Sequence, residues 1–229
     1  MSSNQLSIRD SFKFAWRILK NNFSVLVGPL VLWGVVFLLG LFIPRGTSIL
    51  SFIAGYIRLL VTLGIANLLL QLYDGLKVSW EDMIFNQQVY VILFLLSAVI
   101  YLTSALLTTI AGLFNSMIAS FLLMGLGVFL FIRFFLAGYL IIDKDLALIT
   151  ALQLSYVLTE GVVLKLLILW LLTVALNILG IFPGLLLGLI FVSTPLSLGA
   201  TVFIYRNLLE RLNFNFEEPI FIQDIDLND

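Results

Sequence analysis

The sequence predicts an all-α, polytopic integral membrane bundle of six transmembrane helices plus two cytoplasmic interfacial amphipathic helices. Three observations carry this. First, the 229 residues are 62% hydrophobic and 11% charged, with a mean hydropathy of +1.15; a soluble domain is roughly 45–50% apolar and about 25% charged. Second, the apolar residues fall into six blocks, each near the length of about 20 residues that crosses a bilayer. Third, Lys and Arg collect in alternate gaps between those blocks. A water-soluble fold of this size leaves too much surface exposed to hide such content. Lipid as the solvent removes that conflict.

Residues 6–22 predict the first amphipathic helix. Arg9, Lys13, Arg17 and Lys20 recur at helical spacing, and Ile8, Phe12, Ala15, Trp16, Leu19 and Phe23 line the other face. Ser7 followed by Asp10 resembles a capping box. A cationic face beside Trp and Phe suits a helix lying among anionic headgroups, so Arg9, Lys13, Arg17, Lys20 and Trp16 are candidate lipid-binding residues.

The spans follow at about 23–43, 48–73, 89–111, 117–142, 162–179 and 184–209. Gly28-Pro29 marks a kink in the first, and Pro44-Arg45-Gly46 a tight turn after it. A short helix capped by Ser79, with Asp82 three residues on, occupies the linker before the third span. Asp143, Lys144 and Asp145 read as a solvated helix boundary, with Asp145 as N-cap and Gly161 as stop of the second surface helix. Pro183 is placed to open the sixth span, Gly184 and Gly188 to allow close helix contact, and Pro195 to free one carbonyl within it. One transmembrane domain thus covers 1–211, and 212–229 form an acidic cytoplasmic tail. Segments 6–73 and 146–209 echo one another as a parallel repeat: Phe12, Phe14 and Trp16 match Leu152, Leu154 and Tyr156. No small-x-small site follows the first apolar block, so that block is expected to remain as an uncleaved anchor.

An even number of spans puts both ends on one side. That side holds Arg9, Lys13, Arg17, Lys20, Lys77, Lys144, Lys165, Arg206 and Arg211, against Arg45 in the opposite loops. The positive-inside rule therefore predicts cytoplasmic termini.

The chain has a net charge of −1 and contains neither histidine nor cysteine. A global basic field for nucleic acid is absent. So are imidazole bases, thiol nucleophiles and the usual nitrogen and sulfur metal ligands. Arg58 and Arg133 fall inside the second and fourth spans, where a guanidinium costs about 2.5–3.5 kcal/mol on insertion scales. No carboxylate lies within a span to pair with them, which makes both candidates for an anion or a lipid phosphate.

The string FFLAGYLIIDKDLALITALQLSYVLTEGVVLKLLIL, with Asp143, Ala151-Leu152, Ser155, Leu158-Thr159 and Gly161, resembles a pattern in bacterial membrane families. The stretch around Pro195, Tyr205 and Arg206 is similar to their closing span, and Tyr73-Asp74-Gly75 with Trp80-Glu81-Asp82 fits their linker. These families are the membrane domain attached to some glycerophosphoryl diester phosphodiesterases and related stand-alone six-span proteins of unknown function. The likeness is sharp from about Phe134 to Leu209. Where many relatives carry a Pro-Gly turn, this chain has Met124-Gly125-Leu126-Gly127. The resemblance implies fold and location, a bacterial cytoplasmic membrane, and carries no catalytic residue across.

The expectation is a non-enzymatic membrane protein that binds lipid or another amphiphile, or scaffolds partner proteins. The alternative is a small transporter or channel subunit with an anion pathway at Arg58 and Arg133. No cofactor is expected. The expected partners are membrane lipids, other membrane proteins or a second copy of the chain.

Overall fold

The computed structural model describes residues 7–43, 49–114, 117–180 and 192–211, and every regular element among them is helical. The order is α1 (Ile8–Asn21), α2 (Phe23–Leu41), α3 (Ile49–Tyr73), a 3-10 turn η1 (Trp80–Met83), α4 (Gln87–Phe114), α5 (Met117–Phe134), α6 (Ala137–Lys144), α7 (Leu148–Leu158), α8 (Val163–Gly180) and α9 (Thr194–Arg211). Pro44, Arg45, Gly46, Pro183, Gly184, Gly188 and the tail at 212–229 lie outside the described residues.

Local chemistry accounts for most boundaries. Ser7 is extended and its Oγ accepts from the Asp10 N–H at 3.2 Å, which satisfies one orphan donor at the start of α1. Gly75 (φ +76°) ends α3: its N–H donates to Leu72 and the Leu76 N–H to Gln71, a Schellman pair that leaves Asp74 as the capping residue. At η1 the Asp82 carboxylate accepts from the Ser79 N–H at 2.7 Å. Asn86 starts α4 by accepting from the Val89 N–H at 2.9 Å. α2 runs on through Pro29, which is buried within it.

Two expectations need correction. Asp145 does not cap α7. It ends α6 in the left-handed region (φ 51°), and extended Ala147 precedes α7. The chain must reverse between these helices, and Asp is one of the few side chains that tolerates that conformation. Its carboxylate accepts from Asn86 at 3.3 Å. Nor is α7 a helix lying free on the surface. It starts just beyond α6 and its far end meets Arg133, so it runs antiparallel along α6, with Ala151, Leu154, Ser155 and Leu158 buried. At 159–162 the chain then bends by 101° into α8.

Four segments are long and apolar enough to cross a membrane: Phe23–Leu41, Ile49–Tyr73, Gln87–Leu113 and Met117–Lys144. The bent pair α7 and α8 is a fifth if it counts as one broken span. The described helices divide into two zones. At the α1 end, Leu63–Leu70, Leu93, Leu96, Leu136–Ile141 and Ala200–Leu209 build a buried core into which α1 and α7 pack. At the other end the helices present apolar side chains outward, with Phe42 at 86%, Ile49 at 80% and Leu113 at 79% exposure. Water would not tolerate so large an apolar belt, and hydrocarbon would cover it. The membrane location follows from this belt.

The surface helices of the two expected repeat copies have different neighbours. α1 lies on α9, whereas α7 lies on α6, α5 and α4. Contact between α1 and α9 depends on Gly199. A Cβ there would stand 2.8 Å from the Ala15 Cβ and 3.2 Å from its Cα. Replacing Gly199 by Val should therefore prise the helices apart, with a loss of about 1–3 kcal/mol, read as a lower unfolding temperature in detergent. Pairing it with Ala15→Gly should recover part of that loss. Unchanged stability in the single variant would contradict this packing.

Candidate functional site

The polar residues of the packed end converge on Arg206. Its guanidinium, 12% exposed, forks onto Asp143, with Nη1 to Oδ2 at 2.7 Å and Nη2 to Oδ1 at 2.9 Å. Nη2 also donates to Asp74. The neighbouring Tyr205 hydroxyl donates to Asp143 Oδ2 at 2.8 Å, and Lys144 approaches the same carboxylate at 3.5 Å. Asp74 follows α3, Asp143 stands in the last turn of α6 and Arg206 projects from α9, so this node ties three helix ends together. Phe14, Tyr73 and Phe203 pack beside it as a tilted aromatic cluster, with the Phe14 ring centroid 5.0 Å from Tyr73 and 5.3 Å from Phe203, and add α1 to the knot. The expectation of a solvated boundary at Asp143 is therefore corrected: its side chain is 10% exposed and holds three donors. Every carboxylate oxygen that faces Arg206 is engaged in a charged or hydroxyl contact, an arrangement that clamps helices. The sequence carried a signal for this node, since Asp74, Asp143, Tyr205 and Arg206 all sit at span ends on one predicted side.

Arg133 is held by a helix end. Its Nη1 donates to the Tyr156 carbonyl at 3.2 Å and to Thr159 Oγ1 at 3.4 Å, and its guanidinium lies 4.3 Å from the Tyr156 ring centroid. These acceptors belong to the last turn of α7, where carbonyls lack intrahelical donors and the helix dipole favours a cation. In return, Ser155 Oγ donates to the Arg133 carbonyl at 2.8 Å, next to the hydrogen-bonding break at 135–136 between α5 and α6. Thr159 is fully buried, its hydroxyl also donating to the Ser155 and Tyr156 carbonyls at 3.0 Å. Gly161 (φ +69°) lies in the 101° bend that follows. The Ser155, Thr159 and Gly161 pattern thus serves the junction of α5, α6, α7 and α8.

Arg58 has no comparable support. Its guanidinium packs against Gly40 and lies 5.8 Å from the Phe37 ring centroid on α2; its Nε is buried without a hydrogen-bond partner, as are those of Arg133 and Arg206, but unlike theirs its Nη atoms make no hydrogen bond among the described residues. Among the described residues Arg58 and Arg133 share no contact: one faces α2, the other α7 and Phe129.

The candidate lipid-binding residues stay on the outside. Arg9, Lys13, Trp16, Arg17 and Lys20 are all exposed, Trp16 at 53%. The apolar face expected to enter lipid is partly covered instead: Ser11, Ala15, Ile18 and Leu19 are buried, with α9 the main neighbour. The hydrogen bond with Ser7, and next the charge of Lys13, hold the Asp10 carboxyl below its ordinary range. Pro195 sits in the first turn of α9, after a π-type turn at 192–193. The carbonyl it would leave free, at position 191, lies outside the described residues. Among the described residues no three His, Cys, Asp or Glu side chains are grouped to hold a metal ion.

The exposures rank the node's members. Arg206→Leu would leave Asp143, 10% exposed, with only Tyr205 and Lys144 as partners, and losing one partner of a buried pair costs up to about 3–5 kcal/mol. Asp74→Asn, at a position 41% exposed, should cost about 1 kcal/mol or less. Thermal unfolding of both variants in the same detergent tests that order, and equal losses would refute it. Comparison with protein families, curated proteins and solved structures gives no match to this chain.

Proposed function

We propose that this is a non-enzymatic, six-span protein of a bacterial cytoplasmic membrane, with both termini in the cytoplasm, that binds phospholipid headgroups through α1. The observation that carries the reading is the division of α1. One face is anchored by Ala15 against Gly199, so Arg9, Lys13, Arg17 and Lys20 are held outward with Trp16 beside them. A basic helix fixed at the end of a hydrocarbon-covered bundle meets the headgroup layer, where each Lys or Arg contributes about 1 kcal/mol toward anionic lipid. Trp favours the same layer. The sixth span and the cytoplasmic orientation rest on the apolar block at 184–209 and on the one-sided distribution of Lys and Arg. The resemblance to the membrane domain of the phosphodiesterase family supports both.

An anion pathway through Arg58 and Arg133 is less favoured. Arg133 is occupied by the end of α7, and the two arginines have separate neighbours.

Two experiments test the reading. Replacing Lys13 and Lys20 by Gln should lower the preference for phosphatidylglycerol over phosphatidylcholine by about thirtyfold at low ionic strength, measured as lipid retained in native mass spectra. An unchanged preference would remove α1 as the lipid contact. Reporter tags at residues 1 and 229 should both face the cytoplasm; tags on opposite sides would overturn the six-span topology.

A further inference from the structure

The arginines of this protein differ in what surrounds them. Arg206 has two carboxylates and Arg133 has a helix end. Arg58, in the tenth position of α3, has neither. A guanidinium offers five N–H donors; among the described residues Arg58 finds no acceptor, only the face of Phe37.

Its placement indicates what it could bind. The side chain reaches across to α2 and lies against Gly40, one residue before that helix ends at Leu41. A Cβ at position 40 would overlap the guanidinium, so the glycine makes the notch that admits it. Trp33 stacks on Phe37 at 5.2 Å and donates from Nε1 to Thr62 Oγ1, which in turn donates to the Arg58 carbonyl at 2.8 Å. The backbone of Arg58 and one wall of the notch are thereby fixed.

The depth is set by α2. Its 19 residues span about 28 Å at 1.5 Å per residue, close to the thickness of a hydrocarbon core. With Phe23 at the α1 end, Gly40 falls at the opposite boundary between acyl chains and headgroups. A cation there with unmet donors is matched by a phosphate, whose oxygens accept two parallel N–H bonds.

We propose that the α2–α3 seam at Arg58, Phe37 and Gly40 is a phosphate site, which takes the phosphodiester of a phospholipid at the membrane face opposite α1. The inference rests on the membrane-spanning reading of α2 and α3 but not on α1 as a lipid contact. It separates Arg58 from Arg133, which is a structural cap.

The test uses the full chain purified in mild detergent, with retained lipid counted by native mass spectrometry. The probes are phosphatidylglycerol, diacylglycerol of the same acyl chains, and inorganic phosphate. The wild-type protein should retain one more phosphatidylglycerol than Arg58→Leu, with no such difference for diacylglycerol. Gly40→Leu, which closes the notch and keeps the charge, should lose the same lipid. Arg58→Lys should bind about tenfold more weakly because it lacks the planar fork. Saturable uptake of inorganic phosphate that displaces the lipid, and that both Arg58→Leu and Gly40→Leu abolish, would keep the site and make a free anion its ligand. Retention of phosphatidylglycerol by Arg58→Leu and Gly40→Leu at the wild-type level, with no Arg58-dependent phosphate uptake, would overturn the proposal. The Lys13 and Lys20 variant supplies the distinction from α1: it should keep the Arg58-dependent lipid even if its own headgroup preference is unaltered.

Discussion

The fork between Arg206 and Asp143 is the interaction on which the packed end depends. α3, α6 and α9 come from distant parts of the chain, and little in an apolar solvent would select one pairing of Leu-rich helices over another. A charge pair with low exposure does select, because separating it strands an ion where water is scarce. Asp74 at the Schellman end of α3 and Tyr205 beside Arg206 add two more connections to the same point. The aromatic trio of Phe14, Tyr73 and Phe203 extends it to α1. One node thus sets the relative positions of four helices.

The two zones follow from the same logic. Near the node, side chains interdigitate closely enough that a Cβ on Gly199 would stand 2.8 Å from Ala15, and one on Gly138 would meet the Leu63 methyls at 3.2 Å. Away from it, the helices expose Leu, Ile and Phe outward, since lipid solvates these residues as well as protein does. Backbone polar groups in that belt are satisfied inside each helix, which is why helices can occupy it. α6 and α7 show the corresponding requirement where helices break. The interruption at 135–136 and the end of α7 leave carbonyls without intrahelical donors, and Ser155 Oγ and the Arg133 guanidinium supply two of the missing ones.

This assigns different meanings to arginines that look alike in the sequence. Arg133 and Arg58 both interrupt apolar blocks and both lack a carboxylate nearby in the chain. Arg133 is met by a helix C-terminus and is part of the scaffold. Arg58 is met by a glycine notch and an aromatic face, and among the described residues its donors find no acceptor. The cations of α1 form a third group, held outward because the other face of their helix is occupied.

The amino-acid sequence alone settled the all-helical class, the membrane location, most helix limits and the stop at Gly161. These depend on composition, on periodicity and on residues within four positions of one another. Span ends at Tyr73 and caps at Ser7 and Ser79 were legible for that reason. Tertiary structure decided what no local pattern contains: that α1 rests on α9, that α7 folds back along α6, that Asp145 ends a helix rather than starting one, and that Asp143 answers to an arginine more than sixty positions away. In a chain so rich in Leu and Phe, many helix pairings bury equal apolar area. The choice among them falls to a few close glycine contacts and buried charges, which act through space and leave almost no trace in sequence spacing.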